Sequence, residues 1–405
     1  MVKAKGETTK AHLWSIPFLL VFLAEYMLQI GLYTIRPIVS SYAVSLGSSF
    51  SLAGLLSGIL SGVALLCRPL CGLISDRFNQ ISILLIASAV ISISFFGSVA
   101  IPTLPSIGIF ESLKGAAFTF KSALVISVAS LLVPKERLGL GIGIISTAFT
   151  TAGAIGPVLS ASLVGYYGYS GCYIISGIFS VLGTIALAVL RVMNPDVLQK
   201  QNHKPTKEKN ATEINSFVSR FIYLPALPFS LIAGIAGSAY GAVLSLLFLI
   251  EKQGYIENAE MYFVAYTCTV VIARIIGGEL GDKKGTAIVV PLLTLSLLGS
   301  IPLVFSGLQI CVLIGAFTMA LGQGSAFAIL QAEAVRDIPK EEVGKASNTF
   351  LVVLDLGMFV SPLAGGFVLN TLGFMGFFAM DCFYLLAGLL IAVRVIAKPF
   401  SSKAI

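Results

Sequence analysis

"RPLCGLISDRFNQ", residues 68–80, sets two arginines and an aspartate around a glycine at the end of a long apolar run. A near copy, "RIIGGELGDKKGT", begins at Arg274. Arg68, Gly72 and Asp76 are spaced by four and four, as are Arg274, Gly278 and Asp282, and the two sets are displaced by 206 residues. "PKERLG" from Pro134 returns as "PKEEVG" from Pro339, and "GPVLSA" from Gly156 returns as "SPLAGG" from Ser361, both displaced by 205. Three matches within one residue of a common displacement point to a duplicated unit, so any reading of residues 68–80 must serve twice.

The surroundings decide the class of protein. Of 405 residues, 57% are hydrophobic and 11% charged, against about 25% charged in a soluble domain. Twelve apolar runs, from 14–35 to 374–396, are each long enough to cross a hydrocarbon core of about 30 Å as a helix. An all-α membrane protein is expected, because a helix satisfies its own backbone where lipid cannot. The polar segment 194–220 separates six runs from six. The expected domains are therefore a six-helix bundle over 1–193, a cytoplasmic linker over 194–220, and a second six-helix bundle over 221–405.

Basic residues are biased to cytoplasmic loops. With the N-terminus inside, 22 of the 26 lysines and arginines fall on the cytoplasmic side, which places both termini there. Arg36 and Lys252 then lie near outside connections, and Lys114 and Lys121 lie within a span. This topology and the attraction of an anionic leaflet account for the net charge of +7. A nucleic-acid partner has no domain to occupy. The six cysteines sit in or beside apolar runs and the two histidines lie in polar segments, so neither a metal nor a cofactor is expected.

Charge inside a span is costly, at least about 2.5 kcal/mol near the helix centre, and so marks function. In the first run Glu25, Gln29, Tyr33 and Arg36 form one helical stripe. Glu25 is a candidate proton site, since burial raises the pKa of a carboxyl; a permanent pair with a lysine is the alternative. Glu111, Lys114 and Lys121 share a face of the fourth run, either to bind an anionic substrate or to balance Glu25 and Asp355. Asp355 in "FLVVLDLGMFVSP" is the second candidate proton site. Gln29, Tyr33, Arg36, Tyr240 and Gln323 join the three charges of the fourth run as candidate substrate contacts.

The motif at residues 68–80 reads as a gate. Gly72 lets a neighbouring helix approach a face framed by Arg68, Asp76 and Arg77, and Arg274, Gly278 and Asp282 repeat the frame. "RPLCGLISDRF" resembles the loop two-three signature of the major facilitator superfamily, G-x-L-x-D-R-x-G-R-[KR], with Asn79, Gln80 and Ile81 replacing its second glycine and basic pair. "AGAIGPVLSA", residues 152–161, is similar to the fifth-span motif of proton-driven drug antiporters, G-x-x-x-G-P-x-x-G-G, which Gly156 and Pro157 match. Aligned on Gly115, Glu111 stands where relatives carry an arginine, so that arginine's role does not transfer.

The resemblance covers the whole chain and implies two pseudo-symmetric six-helix bundles rocking about a central cavity, with the eleventh span lining it. It implies a monomeric transporter, not an enzyme, in the cytoplasmic membrane. Proton-coupled efflux of small organic compounds is the favoured mode, with uptake or exchange of an organic anion such as a carboxylate as the alternative. A receptor would usually add a long output domain, an enzyme would need a catalytic cluster, and no ATP-binding loop is present.

Overall fold

The computed structural model describes residues 14–75, 77–134, 137–193, 222–336, 338 and 342–397, and among these there is no strand. The expected linker, 194–220, lies outside the described residues. Helix α1 (Ile16–Ile35) begins at Ser15, whose hydroxyl accepts from the Phe18 N–H. Pro37 has no N–H to continue the ladder, and the chain passes through one 3-10 turn, Arg36–Ile38, into α2 (Val39–Ser45). The result is a single apolar path of 30 residues, Ile16–Ser45. The first run therefore does not stop at residue 35, and Arg36 is half-buried two-thirds of the way along the path.

Helices α3 (Phe50–Ser75), α4 (Gln80–Ala100), α5 (Leu104–Leu132) and α6 (Leu138–Met193) follow. Asn79 caps α4 and Thr103 caps α5, each through its side-chain oxygen. In the second half come α7 (Leu227–Lys252), α8 (Ala259–Lys284), α9 (Val289–Phe305), α10 (Gln309–Glu333) and α11 (Val343–Ala397).

Ten helical segments of the described chain are long and apolar enough to span a bilayer, and two of them run for 54 residues. At 1.5 Å per residue each of these two would be about 80 Å long if straight, more than twice a hydrocarbon core. Neither is straight. Gly168 (φ 68°) breaks α6 and Gly373 (φ 66°) breaks α11, in a left-handed conformation that glycine alone adopts without cost. The sequence runs 140–165 and 172–193, and likewise 346–369 and 374–396, thus join through a glycine turn without an intervening loop.

The displacement of 205 recurs in the coordinates. It carries Gly168 to Gly373, Pro157 in α6 to Pro362 in α11, and the start of α5 to the start of α10. It also relates contacts between the two halves of the chain. Gly62 on α3 lies against Phe359 on α11; adding 205 to one number and subtracting it from the other gives Thr267 and Ala154, and the Thr267 hydroxyl donates to the Ala154 carbonyl at 2.5 Å between α8 and α6. The Ser40 hydroxyl on α2 donates to the carbonyl of Ser245 on α7, residues that are each other's counterpart.

Packing follows the solvent. Phe18, Leu28, Leu84, Val125 and Leu187 close one core among α1, α4, α5 and α6. Leu66, Ile86, Ile275, Phe305 and Phe367 stand exposed, as side chains that meet lipid do.

Candidate functional site

The polar stripe of α1 meets α5 in the interior. Lys121 donates from Nζ to Glu25 Oε1 at 2.6 Å and to Gln29 Oε1 at 2.5 Å. Lys121 is wholly buried and the Glu25 side chain is 5% exposed. Glu25 Oε2 is buried without a hydrogen-bond partner among the described residues. Of the two readings of Lys121, the geometry is that of charge balance: its ammonium is engaged by α1.

Glu111 and Lys114 pair with one another on α5 at 2.6 Å, both buried. The Lys114 ammonium lies 4.7 Å from the centroid of the Phe95 ring and 5.2 Å from that of Tyr173, a desolvated cation held by aromatic faces. This pair packs against α4 and the second arm of α6, apart from the Glu25 cluster.

Higher on α1 the stripe changes character. Arg36 donates from Nη2 to Ser61 Oγ on α3 at 2.5 Å, and its guanidinium carbon lies 5.7 Å from the Tyr33 ring centre. Tyr33 meets Phe149 of α6 edge to face at 5.8 Å. Gly156 makes this approach possible, because a Cβ there would come within 2.6 Å of Tyr33 Cβ. Pro157 follows in the interior of α6. Across the chain's midpoint, Tyr240 of α7 stacks on Tyr266 of α8 at 4.5 Å and 12°. Tyr33 lies within electrostatic reach of Arg36, Arg274 and Asp355, and Tyr240 within reach of Tyr33, Arg36 and Arg274. Arg274 also lies over Phe327 at 5.7 Å. Gln323 sits deeper in the second half, its Nε2 donating to the Ala236 carbonyl at 2.7 Å and its Oε1 buried without a partner among the described residues.

The gate residues part company. Arg68 reaches Asp355 on α11, with Nε at 2.7 Å and Nη2 at 2.5 Å from the same Oδ2. This pair ends a row of close contacts in which the two helices run antiparallel. A Cβ on Gly54 would collide with the Pro362 carbonyl oxygen, one on Gly58 would lie 2.7 Å from that of Phe359, and one on Gly62 2.7 Å from the Phe359 ring. Small residues let the backbones touch. Asp76 lies outside the described residues; Gly72 falls in α3 and Asp282 in α8. Arg77 is exposed beyond the end of α3. On α8 the glycine that admits a neighbour is Gly277, where a Cβ would meet Ser325 at 2.8 Å, whereas Gly278 faces open space. The helical phase of α8 turns the four-residue frame one position away from the packing face.

Tyr266, Ser61 and Phe149 are absent from the candidates that the sequence offers. Tyr262, Tyr266 and Arg274 do share one face of α8 at multiples of four, the same signal that marks α1. Among the described residues, no three His, Cys, Asp or Glu side chains gather as a metal site requires.

The sequence profile of the Major Facilitator Superfamily matches residues 18–362 and 259–404. The chain belongs to the Major Facilitator Superfamily. This transporter is 22% identical over 379 residues to an uncharacterised MFS-type transporter of Methanocaldococcus jannaschii, covering 93% of the chain and 97% of the relative. It is 22% identical over 340 residues to the multi-drug resistance efflux pump PmrA of Streptococcus pneumoniae, covering 80% of the chain and 81% of the pump. Among solved structures, a bacterial homolog of the human lysosomal transporter Spinster, inward-facing and occupied, superposes with a TM-score of 0.73 at 13% identity over 94% of both chains. The peptide transporter POT in complex with sulfate gives 0.73 at 13% identity, covering 93% of the chain and 94% of POT. The superfamily and these relatives are transporters, not enzymes, and the chain is a multi-pass membrane protein of the same fold.

Proposed function

We propose that this transporter works by alternating access, exporting small organic compounds from the cytoplasm in exchange for protons. Residues 1–193 and 221–405 act as two six-span bundles, counting the arms of α6 and α11 on either side of Gly168 and Gly373 as separate spans. The linker 194–220 and both termini lie in the cytoplasm. Similarity to an efflux pump supports export, and the family's paired bundles put the substrate between the halves near mid-membrane.

The observation that carries this reading is the Arg68–Asp355 pair. It joins a helix of one half to a helix of the other at the end of the glycine contacts between α3 and α11. A proton delivered to Asp355 removes the charge that holds Arg68, so proton binding and opening of the seam become one event. Glu25 is the second proton site: protonated, it releases Lys121, and the α1–α5 contact loosens from within the first bundle.

The test is transport in proteoliposomes carrying a pH gradient, with a panel of lipophilic cations and organic anions inside. With the outside acidic, wild-type protein is expected to expel one class from the lumen and to acidify the lumen in step. Asp355→Asn and Glu25→Gln are each expected to retain substrate exchange while losing the dependence on the pH gradient. Normal gradient-driven accumulation in both variants sinks the coupling scheme.

A further inference from the structure

We propose that the Tyr33–Arg36 wall of α1, with Tyr240 and Tyr266 beside it, recognises an organic anion with a flat apolar body. This deepens the transport reading by naming a substrate class, and rests on it for the passage of the bound anion across the membrane.

Interior cations fall into two kinds. Lys121 is neutralised by Glu25 at 2.6 Å, Lys114 by Glu111 at 2.6 Å, and Arg68 by Asp355 at 2.5 Å. Arg36 is different. Its contacts are a hydroxyl, Ser61, and a ring, Tyr33, and no carboxylate lies within ion-pair distance of it among the described residues. Arg274 of α8 lies within electrostatic reach of the same tyrosines. Ser61 and Tyr33 orient Arg36 without an ion pair, and Asp355, the carboxylate within electrostatic reach of it, is held by Arg68, which is how a fork of N–H donors is presented to a carboxylate or sulfonate.

The aromatic half of the site is equally specific. Tyr33 is fixed edge to face against Phe149, and Tyr240 is stacked on Tyr266. Tyr262 extends that stack, 6.1 Å from Tyr266 at 13°. The hydroxyls of Tyr240 and Tyr266 make no hydrogen bond among the described residues. They are donors available to a second acceptor on the ligand. Because α1 and α3 belong to one half and α7 and α8 to the other, an anion held by Arg36 and the tyrosines bridges the moving parts. A lipophilic cation would meet Arg36, while Asp355 is engaged by Arg68 and Asp381 lies at the far end of the stack, in reach of Tyr262.

The experiment uses the purified full-length transporter in nanodiscs with two probes of one shape: 2-naphthoate and 2-naphthyltrimethylammonium. Binding is measured by calorimetry, with thermal unfolding as the control for folding. The carboxylate is expected to bind saturably and at least about tenfold tighter than the cation, the margin of one charge-assisted hydrogen bond. Arg36→Gln is expected to weaken 2-naphthoate by a similar factor, Arg36→Lys by less, and Tyr240→Leu to weaken it while preserving the preference for the anion. If Arg36→Gln does not fold, Ser61→Ala serves instead, since it unties the guanidinium without removing it and weakens the carboxylate only. Binding of the cation as tightly as the carboxylate, unchanged carboxylate binding in Arg36→Gln, or binding of neither probe overturns the proposal. Proteoliposome flux of the same probes separates the two levels: carboxylate binding without movement defeats the transport reading and leaves the site, whereas movement of the cation alone keeps transport and defeats the site.

Discussion

Arg68 places two guanidinium nitrogens on a single oxygen, Oδ2, of Asp355, which lies 287 residues later in the chain. Both side chains are nearly buried, so neither charge has water to fall back on when the other leaves. Removing one partner of such a pair costs about 3–5 kcal/mol, most of it the stranded charge. Arg68→Met and Asp355→Leu are each expected to lower the unfolding temperature markedly. The double variant should recover most of the loss. A double variant as unstable as the worse single one, in detergent-solubilised protein, would mean that the pair contributes nothing as a pair.

The α3–α11 seam makes a separate prediction. A Cβ on Gly54 would overlap a backbone oxygen that cannot move without its helix. Gly54→Ala is therefore expected to push the helices apart and admit water at this end. The labelling rate of a cysteine introduced at Phe359 should rise severalfold in that background. An unchanged rate would place the helices' closest approach elsewhere.

Glu25 and Lys121 test what a buried charge is for. Glu25→Gln strands an ammonium with no exposed surface, and a loss of about 3–5 kcal/mol is expected. Glu25→Gln combined with Lys121→Met should regain stability but not gradient-driven transport. Recovery of both would reduce the pair to structure alone.

The two glycine breaks isolate a backbone effect. A Cβ on Gly168 or Gly373 meets nothing within 4 Å, so any penalty comes from the positive φ. Gly168→Ala and Gly373→Ala are each expected to cost about 1–3 kcal/mol, since positive φ with ψ roughly 180° is a region that only glycine occupies readily. Gly143, equally open but in ordinary helical conformation, is the control, and Gly143→Ala should be neutral or stabilising by up to about 1 kcal/mol. Equal melting temperatures for all three variants would contradict the assignment of strain.

Class and general architecture are legible in the sequence because apolar runs and sparse charge are one-dimensional signals. The Glu25–Gln29–Tyr33–Arg36 stripe is legible for the same reason, since helical periodicity alone puts those residues on one face. Partners are not. Whether Lys121 faces a ligand or Glu25 depends on the rotation of α5 against α1, and Arg68's choice of Asp355 depends on a contact 287 residues away. The first span outruns its expected end because a proline after an arginine reads as a boundary, while the chain takes it as a single tight turn and goes on to Ser45. Among the described residues the twelve runs become ten continuous helical paths because, twice, one glycine with positive φ replaces a whole loop.

The meeting of Ser40 with Ser245 has its own consequence. A point can touch its own image only on the axis that relates them, and for two parallel halves that axis runs along the membrane normal, across the line about which they rock. Ser40 lies near the end of its path, so in the rocking scheme a covalent tether between positions 40 and 245 would join the halves away from that line and stop turnover. The same tether between Gly54 and Gly366, which touch on the α3–α11 seam, would act as a padlock.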